Sequence, residues 1–176
     1  MKFINKSILV LFLLLGLSVN AQQESKNQND RSTLQHYLTS KGYVRIKMEK
    51  LASGHLHLTG ILNGVKGNFI LDTGATGTVI EVKNKEKFKM LSRASERQAS
   101  GAGSTNMRMQ ASSKNNFDLG NIKLLKLNLM LMNLDHVNKA FKRFNIAPVD
   151  GVIGADILTR KKAIIDYIDL SLYLKK

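Results

Sequence analysis

Residues 69–76 read FILDTGAT, an apolar run that ends at Asp72 and continues through a hydroxyl residue, a glycine and an alanine. Aromatic and β-branched side chains suit a covered, pleated surface, so the run predicts a buried strand with a carboxylate at its end. An aspartate in such a place is usually a turn or cap residue, because its side chain hydrogen bonds to nearby backbone amides. The tripeptide Asp72-Thr73-Gly74 therefore indicates a function only with support from the rest of the chain.

Strand patterns precede and follow this stretch. Apolar alternation runs up to Leu62, and a second arm, Val65 to Leu71, begins after Asn63-Gly64. That dipeptide favours a two-residue hairpin turn because both positions tolerate positive φ. The β-branched residues of Thr78 to Val82 suit a further strand. More strands are predicted on both sides of residues 118–121, at residues 163–168 and at residues 171–174.

Helical patterns are few and short. Residues 84–91 begin with an asparagine that suits a helix cap, and they predict at most a turn of helix. Residues 135–145 place four apolar side chains at helical spacing, which predicts one amphipathic helix. Residues 156–159, which precede the closing strands, predict a short helical segment. Many short strands with few helices predict an all-β barrel or sandwich.

A second motif follows later in the chain. Residues 149–158 read VDGVIGADIL, with two apolar residues before a glycine and a short helical segment after it. Together with residues 69–76, this pattern resembles the retropepsin-like aspartic proteases, in which an apolar strand feeds an Asp-Thr-Gly-Ala turn and a later apolar-apolar-Gly strand passes behind it. The glycine-rich residues 99–106, ASGAGSTN, lie between the two motifs, where that family carries its flap. The resemblance covers residues 54–175 and implies an all-β, retropepsin-like closed β-barrel or sandwich with one or two short helices.

The resemblance also implies an aspartic endopeptidase that acts on a protein or peptide substrate without a cofactor. By the resemblance, the catalytic residue would be Asp72. The active-site turn would consist of Thr73, Gly74 and Ala75, and the substrate-binding flap of Gly101, Ala102 and Gly103. Retroviral members commonly have an acidic residue after Asp-Thr-Gly-Ala that pairs with an arginine after the later glycine, whereas this chain has Thr76 and Ala155 there. Loss of both partners leaves no unpaired charge, but it removes a contact that supports the retroviral dimer.

The chemistry of carboxylates gives an independent reason for a dimer. Amide hydrolysis by carboxylates alone needs one ionised group to take a proton from water and one protonated group to stabilise the carbonyl oxygen. Two carboxylates about 3 Å apart share one proton, a behaviour for which aspartic proteases are the standard example. This sequence has one Asp-Thr-Gly motif and no internal repeat of it. We therefore expect a symmetric homodimer in which each copy supplies Asp72.

The N-terminal residues have the layout of a secretory signal peptide. Lys2 and Lys6 form a positive region, the run from Ile8 to Leu17 carries no charge, and small side chains precede Gln22. A membrane-spanning helix needs roughly twenty apolar residues, so this shorter run predicts cleavage after Ala21 and no stable membrane anchor. The protein is therefore expected to be exported, to the periplasm or the exterior.

Three regions are predicted, namely a signal peptide at residues 1–21, a flexible polar leader at 22–42 and a retropepsin-like domain at 43–176. The leader begins with residues 22–33, QQESKNQNDRST, which lack the aliphatic surface that would offset the entropy of ordering. Cleavage removes two lysines and no acidic residue, so the formal net charge falls from +14 to +12. The chain has no cysteine, so no disulfide stabilises it outside the cell.

The sequence lacks the motifs of nucleic-acid binding, of metal binding and of Ser/His/Asp catalysis. The basic residues are spread along the chain without aromatic interleaving, which argues against nucleic-acid binding. His55 and His57 face the same side of a predicted strand, but the ligand set is incomplete and argues against a metal. No GxSxG motif supports Ser/His/Asp catalysis. The alternative that stays open is a retropepsin fold that binds peptides or mediates dimerisation without catalysis.

Overall fold

The computed structural model describes residues 33–101 and 104–176, and of residues 96–101 and 104–108 it describes the backbone alone. The predicted signal peptide, the start of the predicted leader, and the flap residues Ala102 and Gly103 lie outside the described residues. The chain divides into two units between Lys41 and Gly42, and each unit is described by itself.

In the first unit, residues 33–40 form a helix, α1. It ends where the Lys41 amide donates a 3.1 Å hydrogen bond to the carbonyl oxygen of Tyr37. These residues belong to the predicted flexible leader, residues 22–42, whose second half therefore contains a helix. Two leucines four residues apart gave the helical spacing that the leader prediction overlooked. No helix in the described part of the chain is long and apolar enough to cross a membrane.

The second unit consists mainly of short strands, which confirms the predicted all-β class. Its strands are β1 (Tyr43–Lys47), β2 (Glu49–Lys50), β3 (Leu56–Leu62), β4 (Val65–Leu71), β5 (Val79–Glu81), β6 (Ser92–Gly101), β7 (Ser104–Leu119), β8 (Ile122–Met132), β9 (Gly151–Ile153), β10 (Ile164–Asp166) and β11 (Ser171–Lys175). Its helices within the described residues are a 3-10 turn (Val82–Asn84), α2 (Asp135–Lys142) and α3 (Ala155–Arg160).

Six strands close into a barrel in the order β3, β4, β9, β5, β8 and β7, and pairing of β7 with β3 completes the ring. The pairs β4–β9 and β5–β8 are parallel, and the other neighbours in the ring are antiparallel. Closure of this kind removes unpaired strand edges. The predicted closed β-barrel is thus confirmed. A separate three-stranded sheet has β11 between β1 and β10.

The turn between β3 and β4 has the conformation that its sequence predicts. Asn63 and Gly64 have φ values of 50° and 84°, and Leu62 lies opposite Val65. The Asn63 amide nitrogen donates to the carbonyl oxygen of Asn116 at 2.8 Å, which ties the turn to β7. The register of the strand that leads to Asp72 is fixed at this hairpin.

Two local predictions differ from the structure, and one stretch with weak strand preference lies in paired strands. At residues 84–91, Asn84 is the last residue of the 3-10 segment and residues 85–89 form turns, so the helical turn begins two residues earlier than predicted. The helix predicted at 135–145 ends at Lys142. In the glycine-rich stretch that contains the predicted flap, residues 99–101 end β6 and residues 104–106 begin β7. Pairing with a neighbouring strand overrides weak local preference in this last case.

The strand that leads to Asp72 is covered on both faces. Phe69 and Leu71 belong to the main core cluster, whereas Ile70 belongs to a second cluster with Phe141 of α2 and Val152 of β9. Parallel strands buried on both faces have continuous apolar sequences, and β4 and β9 are such a pair. The end of β4 is therefore held firmly from both sides.

Candidate active site

Asp72 directly follows β4, and its side chain is exposed. Its amide nitrogen donates a 3.0 Å hydrogen bond to the carbonyl oxygen of Ile153, the last residue of β9. The carboxylate oxygen Oδ1 accepts a 2.8 Å hydrogen bond from the Gly74 amide nitrogen. The Asp72 carbonyl oxygen accepts from the Ala75 amide nitrogen at 3.3 Å. The backbone thus fixes the Asp72 side chain at the start of a tight turn that contains the predicted residues Thr73, Gly74 and Ala75.

The turn lies in close contact with the backbone at the end of β9. The Ala155 amide nitrogen donates to the Ala75 carbonyl oxygen at 2.8 Å. A Cβ atom at Gly154 would lie 2.6 Å from the backbone of Gly77, and one at Gly151 would lie 2.5 Å from the carbonyl oxygen of Val79. Both glycines are therefore required by close approach, which explains why the sequence reads Gly-Val-Ile-Gly behind the turn.

A buried hydroxyl group joins the turn to α3. Thr78 is 1% exposed, and its Oγ1 donates to Asp156 Oδ1 at 2.7 Å and accepts from the Gly154 amide nitrogen at 3.1 Å. Asp156 Oδ1 also accepts from the Ile157 amide nitrogen at 2.8 Å. Asp156 therefore has a structural role in the first turn of α3, where Gly154 is the cap residue.

Asp150 anchors the start of β9. Its side chain is 7% exposed, and it accepts hydrogen bonds from the Asn68 amide nitrogen at 2.8 Å, from Asn84 Nδ2 at 2.8 Å and from Lys87 Nζ at 2.6 Å. Sequence reasoning gave Asp150 no role. A charged residue inside the apolar run VDGVIG was the available signal, but Lys87 is 63 positions away and no local pattern links the two.

Glu81 is a second buried carboxylate that sequence reasoning missed. It is 4% exposed, and its oxygens accept from the amide nitrogens of Lys83 at 3.1 Å and of Leu134 at 2.8 Å. These bonds connect β5 to the residues before α2. Close by, the hydrogen bond from Lys83 lowers the pKa of the Asp135 carboxyl group, and the same bond raises the pKa of Lys83. Both carboxylates therefore hold elements in place beside the barrel.

Of the three predicted flap residues, the structure describes Gly101. β6 ends at Gly101, which is opposite Ser104 of β7. Ala102 and Gly103 lie outside the described residues, so their predicted contact with substrate stays a prediction.

The two histidines of the β3 region make separate contacts. The His55 ring meets Phe141 edge-on, with centroids 5.1 Å apart, and His57 Nε2 lies 3.3 Å from Asn68 Oδ1. His57 Nδ1 also lies 3.7 Å from Glu49. In residues 33–101 and 104–176, no group of three or more His, Cys, Asp or Glu side chains could hold a metal ion.

Carboxylate catalysis, the role predicted for Asp72, needs two carboxyl groups. Across the described residues, no hydrogen bond or ion pair joins its side chain to another carboxyl group. A single exposed carboxylate can accept a proton, but acid and base roles need two groups that share one. The described part of one chain therefore places one exposed carboxylate, held by a backbone hydrogen bond, at the turn.

The chain is similar to known proteins in sequence and in fold. The sequence model of a family described as "Aspartyl protease" matches residues 58–157, more than half of the chain. The fold is similar to a retropepsin-like aspartic protease from Rickettsia conorii, with 16% identity, a TM-score of 0.51, and coverage of 76% of this chain and 91% of that chain. This likeness shows a retropepsin-like fold, as predicted.

Two further solved structures are similar at lower TM-scores. They are the EIAV protease complexed with the inhibitor HBY-793, with 16% identity, a TM-score of 0.49, and coverage of 65% of this chain and 95% of that chain, and the retroviral protease-like domain of Ddi1 from Leishmania major, with 14% identity, a TM-score of 0.48, and coverage of 68% and 87%. No curated protein matches the sequence.

Proposed function

The chain belongs to the aspartyl protease family, and on that premise we propose that it hydrolyses peptide bonds with a water molecule activated by the paired Asp72 carboxylates of a homodimer. The observation that carries the proposal is the exposed Asp72 side chain, fixed at the end of a buried strand by the 2.8 Å hydrogen bond from the Gly74 amide. An exposed carboxylate that is held in position suits catalysis, because the entropy cost of orienting the reacting group has already been met in the folded chain.

The proposed reaction uses one proton shared between two carboxyl groups. The ionised group takes a proton from water, whose oxygen attacks the peptide carbonyl carbon, while the protonated group donates its proton to the carbonyl oxygen. In the resulting diol, one hydroxyl proton returns to the pair as the C–N bond breaks, and the leaving amine takes the other proton from the pair. The two groups then again hold one proton between them.

The second Asp72 is proposed to come from another copy of the chain. The sequence contains one Asp-Thr-Gly motif, and a two-fold axis beside Asp72 would bring two identical turns together. Thr73 and Gly74 are exposed next to Asp72, so the turn is accessible to a second copy. Their role is to support the geometry of the paired carboxylates.

The proposed setting is the periplasm or the exterior of the cell. Residues 1–21 have the layout of a cleavable signal peptide, and the +14 chain would keep a formal charge of +12 after its removal. A protein this basic attracts anionic surfaces and acidic substrates. Polypeptide substrates with acidic segments are therefore expected to associate faster at low ionic strength than at high ionic strength.

The test is a cleavage assay of the purified mature protein. Denatured protein or a peptide library is incubated across acidic to neutral pH with the parent, with Asp72→Asn and with the control Asp118→Asn. Cleavage by the parent and the control but not by Asp72→Asn is expected. Equal cleavage by all three would show that Asp72 is not the catalyst. A dimeric parent that cleaves nothing would favour the non-catalytic binding module.

A further inference from the structure

A cavity of about 420 Å³ lies directly beside the Asp72 turn. Apolar side chains of α3 and of the segment up to β10 form most of its wall, and Thr73 contributes from the turn. The wall includes Thr73, Ala155, Leu158, Thr159, Lys162 and Ile165. Lys162 is the one cation of this lining. The cavity is thus an apolar hollow with one positive group.

Two large apolar side chains are exposed within three residues of Ile165, which lines this cavity. Tyr167 and Ile168, between β10 and β11, are 65% and 75% exposed. Asp166 Oδ1 accepts from the amide nitrogens of Ile168 at 2.9 Å and of Asp169 at 3.0 Å, so the turn is ordered. Ile165 lines the cavity and lies two residues before Tyr167, so the projecting pair begins within two residues of the cavity wall. We call residues 167–168 the tip.

We propose that the tip of one copy enters the cavity of a second copy, and that this reciprocal contact aligns the two Asp72 turns. A surface that carries both a projection and a hollow can pair with itself about a two-fold axis, because each copy then makes the same contact twice. Exposed apolar patches with a polar rim commonly mark interaction sites. The ordered tip loses little conformational freedom on binding, which favours association.

Two observations select a second copy as the occupant. Asp72 needs a second carboxylate, and Thr73 follows it directly and lines the cavity, so a copy that brings its own Asp72 to this point must lie against the cavity mouth. Charge also matches, since Asp166 precedes the tip and Lys162 lies in the cavity wall. Insertion of the tip therefore brings opposite charges together.

The inference rests on the proposed function, because the shared dyad is what demands a second copy. The experiment therefore measures assembly in the Asp72→Asn background, where no cleavage is expected. Failure of the tip contact alone then shows as a tip variant that dimerises as tightly as the control, whereas failure of catalysis alone shows as a dimeric chain with intact Asp72 that cleaves nothing.

The first measurement is sedimentation velocity of the full mature chain over a range of concentrations. Ile168→Asp and Tyr167→Ser should each weaken dimerisation at least tenfold. Leu125→Asp in β8, where the leucine is 56% exposed, is the matched control and should change it less than twofold. Circular dichroism spectra identical to the parent's establish that each variant is folded. Either tip variant dimerising as tightly as the control would overturn the proposal, as would a parent that stays monomeric at all concentrations.

The second measurement is a cross-link, which the absence of natural cysteine makes clean. One chain carries Ile168→Cys and the other Thr159→Cys, a position in the cavity wall. On mixing and mild oxidation, the mixed disulfide should form in preference to either disulfide between like chains. Disulfides only between like chains, or none at all, would contradict insertion of the tip into the cavity.

Discussion

Thr78 and Asp156 are joined by a 2.7 Å hydrogen bond that links the Asp72 turn to α3. The same Thr78 hydroxyl oxygen accepts a hydrogen bond from the Gly154 amide nitrogen, so one buried side chain satisfies groups on two elements. Asp156 supplies the acceptor that the buried Thr78 hydroxyl group would otherwise lack. The position of the Asp72 turn therefore depends on residues that never touch substrate in the proposed mechanism.

The first prediction concerns Thr78→Val. Valine keeps the shape of the side chain but leaves the buried Gly154 amide without its acceptor, which costs about 1–3 kcal/mol in free energy of unfolding. Proteolytic activity should fall as well, because the turn loses its tie to α3. Urea denaturation measures the stability change. The control is Thr76→Val in the same turn, where the threonine is exposed and little change is expected.

The second prediction concerns Gly154→Ala. The added Cβ atom would lie 2.6 Å from the carbonyl carbon and oxygen of Gly77, so the turn and β9 must move apart. Overpacking of this kind costs about 1–3 kcal/mol. Gly77→Ala is the matched control, because no atom outside its immediate neighbours lies within 4 Å of a Cβ built there. Thermal unfolding that ranks the two variants equally would contradict the close-approach explanation.

The sequence predicted the parts of the fold that have strong local signals. The Asn63-Gly64 turn has both residues at positive φ, as its composition requires, and the continuous apolar run before Asp72 is buried on both faces. The Gly-Val-Ile-Gly strand lies behind the turn because its glycines permit an approach that no side chain would allow. These features follow from a few residues each.

Features that depend on distant partners were not predicted. β6 reads SRASERQASG, which has no β-branched or aromatic residue, and its strand conformation follows from pairing with β7. The contact between Asp150 and Lys87 joins residues 63 positions apart, and no local pattern specifies it. The second carboxylate of the candidate site also has no local signal in the sequence, because in the proposed mechanism a second copy of the chain would supply it.

The third prediction concerns the buried carboxylate at the start of β9. Asp150→Ala leaves the Asn68 amide and the Asn84 side chain without an acceptor and Lys87 without its partner, so we expect a loss of about 3 kcal/mol in free energy of unfolding. Denaturant titration measures it. Glu86→Ala, an exposed acidic residue of the same region, is the control and should change stability by less than about 0.5 kcal/mol. A similar effect of both variants would mean that Asp150 does not anchor the strand.

The fourth prediction is a pH dependence in the sheet that carries the tip. Burial alone would raise the pKa of Asp169, but the Ser171 hydroxyl group and the charges of Arg45 and Lys47 together hold that pKa below its ordinary value of 3.8. A carboxyl group with a lowered pKa in the folded state stabilises the protein above its unfolded-state pKa, and this stabilisation is lost as pH falls through the folded-state value.

Asp169→Asn should therefore be less stable than the parent at neutral pH, by about 1 kcal/mol for a partly buried ion pair whose Asp169 side chain is 20% exposed. The difference should begin to shrink near the ordinary pKa of 3.8 and disappear at lower pH. Urea denaturation of both proteins between neutral and strongly acidic pH tests this. Arg45→Met should show the same loss of difference on acidification, because it removes a charge that lowers the pKa of Asp169. A stability gap that is constant with pH in both variants would show that the charge of Asp169 is not what stabilises the joint between β1 and β11.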